Sequence, residues 1–283
     1  MTLPSARLTV LRAPNGAPFR AGMGSPDRHG RQLNGMGGGI SSLSKVCIVG
    51  PPSRPDADVD YTFAQVMVNE ARVDYSGNCG NMSSAIGPFA VAEGLFRAPE
   101  GATIVRIHNT NTSKIIHSAF SVTDGEADDA GDLEIPGVSG QGAPIRLDFV
   151  DPGGATTGKL LPTGSVIDKL DIPGLGSVEV SMVDAANACV FVNAVALGLV
   201  GTELPEATAR NGSLLEKLND IRTHASVAMG ITPDLAAARA KRLVPFVGFV
   251  SFAQDSDTLS GVPIEAVKVD VTARMAARTA TSH

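Results

Sequence analysis

Chemistry in this sequence gathers at Cys79. The run Asp74-Tyr75-Ser76-Gly77-Asn78-Cys79-Gly80-Asn81-Met82-Ser83-Ser84-Ala85-Ile86-Gly87 reads as a strand, a sharp glycine turn and then a helix. Val73 and Tyr75 suit extended backbone, Gly77 and Gly80 ease the turn, and the Met, Ser, Ala and Ile that follow suit a helix running to Gly94. Cys79 then falls where turn becomes helix. Unpaired backbone N–H groups and the positive end of the helix dipole converge at such a point, which favours a bound carboxylate or a thiolate. The competing reading is a packing residue, because a lone cysteine is usually a small buried hydrophobe and Gly-Asn usually only a turn. Asn78 and Gly80 leave Cys79 without an apolar sequence neighbour, which favours a reactive or ligand-facing thiol.

The remaining chemistry-bearing residues point elsewhere. Cys47 in Val46-Cys47-Ile48-Val49 and Cys189 at the head of Cys-Val-Phe-Val read as strand core. Three cysteines without a CxxC pair exclude a disulfide framework, disfavour zinc and fit a reducing, cytoplasmic compartment. None of the five histidines has metal-ligand spacing, and His108 and His117 fall in alternating strands as surface or hydrogen-bonded residues. The glycines of Asn34-Gly35-Met36-Gly37-Gly38-Gly39 would let backbone approach a ligand, but neither the GxGxxG spacing nor a GKS/GKT ending is present. No metal, flavin or nucleotide cofactor is expected.

The elements that must hold Cys79 are β-rich. Strands are expected at Leu8 to Leu11, Val46 to Val49, Phe63 to Val68, Arg72 to Tyr75, Thr103 to His108, Lys114 to Val122 and Ile145 to Val150. After the flexible Asp151-Pro152-Gly153-Gly154 come Val178 to Val183, Cys189 to Asn193, Phe246 to Phe252 and Ala266 to Val271. Leu214, Leu215, Leu218 and Ile221 have helical spacing behind a capping box of Ser213 and Glu216, and a second helix is expected after Pro233. The pattern predicts an α+β protein with an N-terminal lobe over 1–150 and a C-terminal lobe over 151–283. With 283 residues, 43% of them hydrophobic, the chain can bury a sizeable core. A net charge of −6 without a Lys/Arg block argues against nucleic acid, and the longest apolar runs are too short to span a bilayer. Three arginines and no acid from Met1 to Pro26 fit either an ordinary leader or a mitochondrial transit peptide.

Several of these pieces together resemble the PrpF family of cofactor-free isomerases: Met23-Gly-Ser-Pro-Asp27, Gly35-Met-Gly-Gly38, Ser42-Leu-Ser-Lys45, Ser76-Gly-Asn-Cys-Gly-Asn81 with Gly87-Pro-Phe89, Leu161-Pro-Thr-Gly164 and Gly201-Thr-Glu-Leu204. The resemblance implies the two-lobed fold shared with diaminopimelate epimerase, each lobe wrapped around a central helix. It also implies proton or double-bond shifts in small unsaturated di- and tricarboxylic acids such as 2-methylaconitate, 3-methylitaconate, oxalomesaconate and aconitate. On this resemblance Lys45 and Cys79 exchange protons with the substrate, and Ser44, Asn78, Gly80, Asn81, Met23 and Ser25 contact it. Leu11-Arg12-Ala13-Pro14-Asn15-Gly16 stands where members carry Arg-Gly-Gly-Thr-Ser-Lys-Gly, and members continue where this chain ends at His283. The second lobe is therefore expected to be incomplete, with Phe246, Val247, Phe249, Val250 and Phe252 partly exposed and a homo-oligomer possible. The alternative is a catalytically impaired paralogue that binds carboxylates or a protein.

Overall fold

The computed structural model describes residues 9–12, 45–66, 73–135, 140–241, 244–257 and 261–275. It divides into two units, Met1–Asp151 and Pro152–His283. The first contains β1 (Thr9–Arg12), β2 (Lys45–Gly50), β3 (Val59–Val66), β4 (Val73–Asp74), α1 (Gly80–Ser83), α2 (Ile86–Ala92), β5 (Gly101–Asn109), β6 (Lys114–Thr123), β7 (Glu126–Ala127) and β8 (Arg146–Phe149). These strands form one mixed sheet in the order β1-β2-β3-β5-β6-β7, with β4 on β3 and β8 on β6. β1 runs parallel to β2 and β3 parallel to β5; the other pairs are antiparallel.

Strand periodicity sorts the side chains. Alternate residues of a strand face opposite sides, so Cys47 and Val49 of β2, Tyr61 and Phe63 of β3, Val105 and Ile107 of β5, and Ile116 and Phe120 of β6 share one face and bury Ile86, Ala90 and Val91 of α2. Val46, Ala64 and Val66 form a smaller cluster on the other face. By the same rule Lys45 ends the helix-side stripe of β2, and Asn109 ends that of β5.

The helix expected from Cys79 to Gly94 is broken in two. Pro88 has no N–H to offer the Ser84 carbonyl, and its ring would crowd that carbonyl in a continuous helix. The chain instead closes α1 with Ala85 N–H on Met82 O at 3.2 Å and restarts at Ile86. Gly87 then lets α2 lie close on the sheet: a Cβ there would come within 2.6 Å of Ser118 Oγ and 2.7 Å of Phe120 Cε1.

The second unit contains β9 (Asp168–Ile172), β10 (Gly176–Ala185), β11 (Asn187–Asn193), α3 (Pro205–Arg210), α4 (Gly212–Ala228), α5 (Leu235–Ala240), β12 (Phe246–Phe252), β13 (Ser256–Asp257), β14 (Pro263–Ile264) and β15 (Val271–Met275). Its main sheet has the order β15-β12-β11-β10-β9. α4 packs on β9, β11 and β12, placing Leu214, Leu218, Ile221 and Ala225 among Leu170, Val180, Met182, Val190, Val192, Val247 and Phe249. In β12 the expected exposure is met at Phe246 and Val250, which are half-buried, and at Phe252, which is 90% exposed, and is corrected at Val247 and Phe249, which α4 covers. Cys189 is only half-buried, because its side chain faces away from the stripe of Ala188, Val190 and Val192. The helix cap is Asn211, whose side-chain oxygen accepts from Leu214 N, and not Ser213. Ala266 to Val271 is a helical turn at Ala266–Lys268, and the strand expected there begins only at Val271. Arg222, buried on α4, donates to the Ala238 and Lys241 carbonyls and so staples α5 to α4.

Candidate functional site

β2 and the segment 74–80 bring an amine and a thiol together. Lys45, first residue of β2, pairs in register with Gln65, which pairs in turn with Asp74 on β4. Asp74 starts the turn, its Oδ1 accepting from Ser76 N at 2.8 Å and Ser76 Oγ at 2.6 Å. Five residues on from Asp74, the half-buried Cys79 caps α1, and Lys45 Nζ donates to Cys79 Sγ at 3.4 Å across 34 positions of sequence. Gly80 and Asn81 are exposed beside the thiol. Their N–H groups, with that of Met82, open α1 and have no intrahelical acceptor. Gly80 does not take the left-handed backbone region, and a Cβ on it would make only ordinary contact with Phe149. The turn itself makes no demand for glycine.

Asn78 faces inward. It is 7% exposed, and its Oδ1 accepts from Ser83 Oγ at 3.4 Å and from Asn109 Nδ2 at 3.2 Å. Asn109 and Asn111, between the strands expected at Thr103 to His108 and Lys114 to Val122, bond the loop that carries Cys79, at Asn78 and at Tyr75. The available signal was the stripe Val105, Ile107, Asn109, in which an amide replaces the next apolar residue at the buried end of a strand. Ser44, Met23 and Ser25 lie outside the described residues, as does the glycine run 34–39.

Burial makes the other two thiols harder to ionise. It pushes Cys47 up to about 12, against a hydrogen bond with Tyr61 Oη, 3.8 Å from its Sγ. Burial, with Asp184 adding to it, pushes Cys189 up to about 11.

Ser53, His108 and Asp60 also cluster, but not as a catalytic triad. Ser53 Oγ and Asp60 Oδ1 both meet His108 Nδ1, at 3.3 and 2.9 Å. A triad histidine uses one ring nitrogen for the nucleophile and the other for the acid. His108 is 8% exposed and ties the Ser53 turn to β3 and β5. Among the described residues no cluster of three or more His, Cys, Asp or Glu could hold a metal ion.

The remaining motifs shape the second unit. Glu203 accepts from the Val200 and Gly201 N–H groups at 2.7 and 2.8 Å. Partial burial opposes its ionisation, yet these bonds and Arg274 hold its carboxyl below the ordinary value. Gly201 has φ +103, and a Cβ there would strike the Ser251 side chain. In Leu161-Pro-Thr-Gly164, Gly164 has φ +85 and Thr163 Oγ1 donates to Asp168 Oδ2 at 2.8 Å, turning the chain into β9.

A family model described as PrpF protein matches residues 17–283. The chain is 44% identical over 254 residues to 3-methylitaconate isomerase of Eubacterium barkeri, an alignment covering 89% of this chain and 66% of that protein. It is 39% identical over 259 residues to 2-methyl-aconitate isomerase of Cupriavidus necator, covering 89% and 65%. A crystal structure of methylitaconate-delta-isomerase superposes with a TM-score of 0.71 at 44% identity, covering 89% of this chain and 65% of that one. The chain thus spans about two thirds of the length of the curated relatives it matches.

Proposed function

The chain belongs to the PrpF family, and from that premise we propose that it is a cofactor-independent isomerase that shifts protons and double bonds in small unsaturated di- or tricarboxylic acids, acting in the cytoplasm. The observation that carries this reading is the 3.4 Å contact of Lys45 Nζ with Cys79 Sγ beside the exposed Gly80 and Asn81. The names of the relatives, isomerases of methylitaconate and methylaconitate, supply the substrate class.

The chemistry asks for two groups. A carbon next to the unsaturated acid gives up a proton, its bonding pair enters the π-system as a dienolate, and a proton returns at the far end of that system. The double bond moves or is rotated, and no electron is gained or lost. Cys79 as thiolate takes the first proton and Lys45 as ammonium gives the second; the reverse reaction exchanges the roles. Turnover in one direction leaves a thiol and a neutral amine, and their contact lets one proton cross directly and restore the pair. The N–H groups of Gly80 and Asn81 are fixed donors for a substrate carboxylate, whose oxygens carry the dienolate charge.

Proton NMR in deuterated water with aconitate and methylitaconate tests this. Wild type incorporates deuterium at the allylic carbon, and Cys79→Ser or Lys45→Ala each slows incorporation by ~100-fold or more, the scale for losing a general acid or base. Equal rates for all three proteins would overturn the assignment.

A further inference from the structure

The pair Lys45 and Cys79 comes from two segments, and only one of them is a regular strand. Lys45 is held by the β2–β3 ladder. Cys79 stands on a loop followed by one turn of helix, so something beyond secondary structure must fix its thiol. The buried amides below it are suited to that task.

Asn109 is fully buried. Its orientation follows from Thr112, whose backbone N–H can only donate: the atom that N–H meets at 3.0 Å must be Oδ1, which also accepts from Thr112 Oγ1 at 2.7 Å. Nδ2 therefore faces the loop, 3.2 Å from Asn78 Oδ1 and 3.3 Å from Asn111 Oδ1. Asn111 acts as a surrogate strand neighbour. Its Oδ1 accepts from Phe63 N at 2.7 Å, and its Nδ2 reaches both Phe63 O and Tyr75 O at 2.8 Å. Two amides thus hold the loop at Tyr75 and at Asn78, on the N-terminal side of the thiol. Ser83 holds the other side, its Oγ donating to Cys79 O at 2.9 Å.

We propose that Asn109, seconded by Asn111, is the positioning residue for Cys79: acting through Asn78, it holds the thiol within reach of Lys45 Nζ without itself touching substrate. This rests on the reading of Lys45 and Cys79 as the proton-transfer pair. A buried amide chain of this kind is cooperative, so losing one member moves the next and does not merely remove a contact.

The test uses two readouts, turnover and the rate at which iodoacetamide alkylates Cys79, mapped by mass spectrometry. Alkylation needs no substrate, so a wild type that exchanges no proton would sink the isomerase reading while leaving this one open to test. Asn109→Ala, still folded, lowers kcat by about tenfold with KM within about twofold, the pattern of an interaction felt in the transition state. It also slows alkylation of Cys79 at neutral pH by about threefold, the order of one weakened contact to the thiol. Combined with Asn78→Ala it has little further effect, as expected of residues in series. Asn211→Ala, which uncaps α4 in the second unit, lowers the melting temperature and leaves both rates unchanged. If Asn109→Ala does not fold, Asn111→Asp, which keeps the bond from Phe63 N and loses the donors to Phe63 O and Tyr75 O, gives the same two rate changes at smaller size. Wild-type rates in the folded variants, full additivity with Asn78→Ala, or equal rate losses in Asn211→Ala would each overturn the proposal.

Discussion

In the first unit the helical layer on the sheet is two short pieces of four and seven residues, whereas in the second a single 17-residue helix lies across the strands. α4 is long enough to close its core with aliphatic side chains, and the largest of its buried polar residues, Arg222, staples α5. The broken helix of the first unit leaves the end of its sheet uncovered by apolar side chains. There the inward stripes finish in Lys45 and Asn109, and the loop above them carries Cys79. The same layering thus gives a packing core where the helix runs on, and a polar end of the sheet, with Lys45, Cys79 and Asn109 together, where proline interrupts it.

The comparison breaks if the second unit does not depend on its helix–sheet seam. Phe249→Ala removes the ring that α4 covers and lowers stability by about 3–5 kcal/mol, the range for aromatic truncation in a packed core. A loss below about 1 kcal/mol in urea unfolding, as at a surface position, would show that this seam is not the core. In the first unit the close approach of α2 is the feature at stake. Gly87→Ala drives a methyl group against Ser118 and Phe120 and costs about 1–3 kcal/mol, and because α2 follows directly on α1 the change should also alter the alkylation rate of Cys79. An unchanged melting temperature would mean that the helix shifts freely.

At the α4 end, Asn211→Ala removes the bond to Leu214 N and costs about 1 kcal/mol. Ser213→Ala should cost much less, and the reverse order would restore Ser213 as the cap. The smallest effect concerns acid. Burial opposes ionisation of Asp58, but its bonds to the side chain and backbone N–H of Arg106 outweigh that and hold its carboxyl below the ordinary value. The folded value lies below the unfolded one, so this contribution is complete above the ordinary carboxylate range and is lost as pH falls through the depressed value. Asp58→Asn should flatten that part of the stability profile; an unchanged acid limb would place the coupling elsewhere.

What could be read in the sequence was what periodicity and turn chemistry determine locally. Alternation located β5, β6, β10, β11 and β12 to within a few residues, and the glycine turn placed Cys79 at a helix start. β3 begins at Val59, four residues before the expected Phe63, and its start Val59-Asp60-Tyr61-Thr62 alternates apolar and polar as a half-buried strand does. β9 went unread since Asp168-Lys169-Leu170-Asp171-Ile172 offers only two apolar residues to its face. The helix cap was a contest between two good capping types, Asn211 and Ser213, that spacing alone does not decide. Pro88 was visible, but its consequence was not, because a proline near a helix start is also compatible with one continuous element. Lys45 could be assigned only through the resemblance, and its approach to Cys79 is a contact across 34 positions. Asn109 is the same kind of case, an ordinary turn residue locally whose partners are set by the sheet register Tyr61 to Asn109.

The break at Ser84 and Ala85 also has a consequence for motion. α1 is a single turn whose backbone is closed by Ser83 N–H on Cys79 O and Ala85 N–H on Met82 O, so opening it exposes few groups and leaves the strands intact. Such small units open at far lower free energy than the domain that carries them. The amides of Ser83 and Ala85 then exchange with solvent long before those of Val105 or Ile107, and an anion that takes the N–H groups at the start of the turn lowers that exchange rate in proportion to the fraction of turns it leaves unoccupied. The thiol rides on a single turn tied to the sheet through buried amides, and a ligand on that turn can add to its local order.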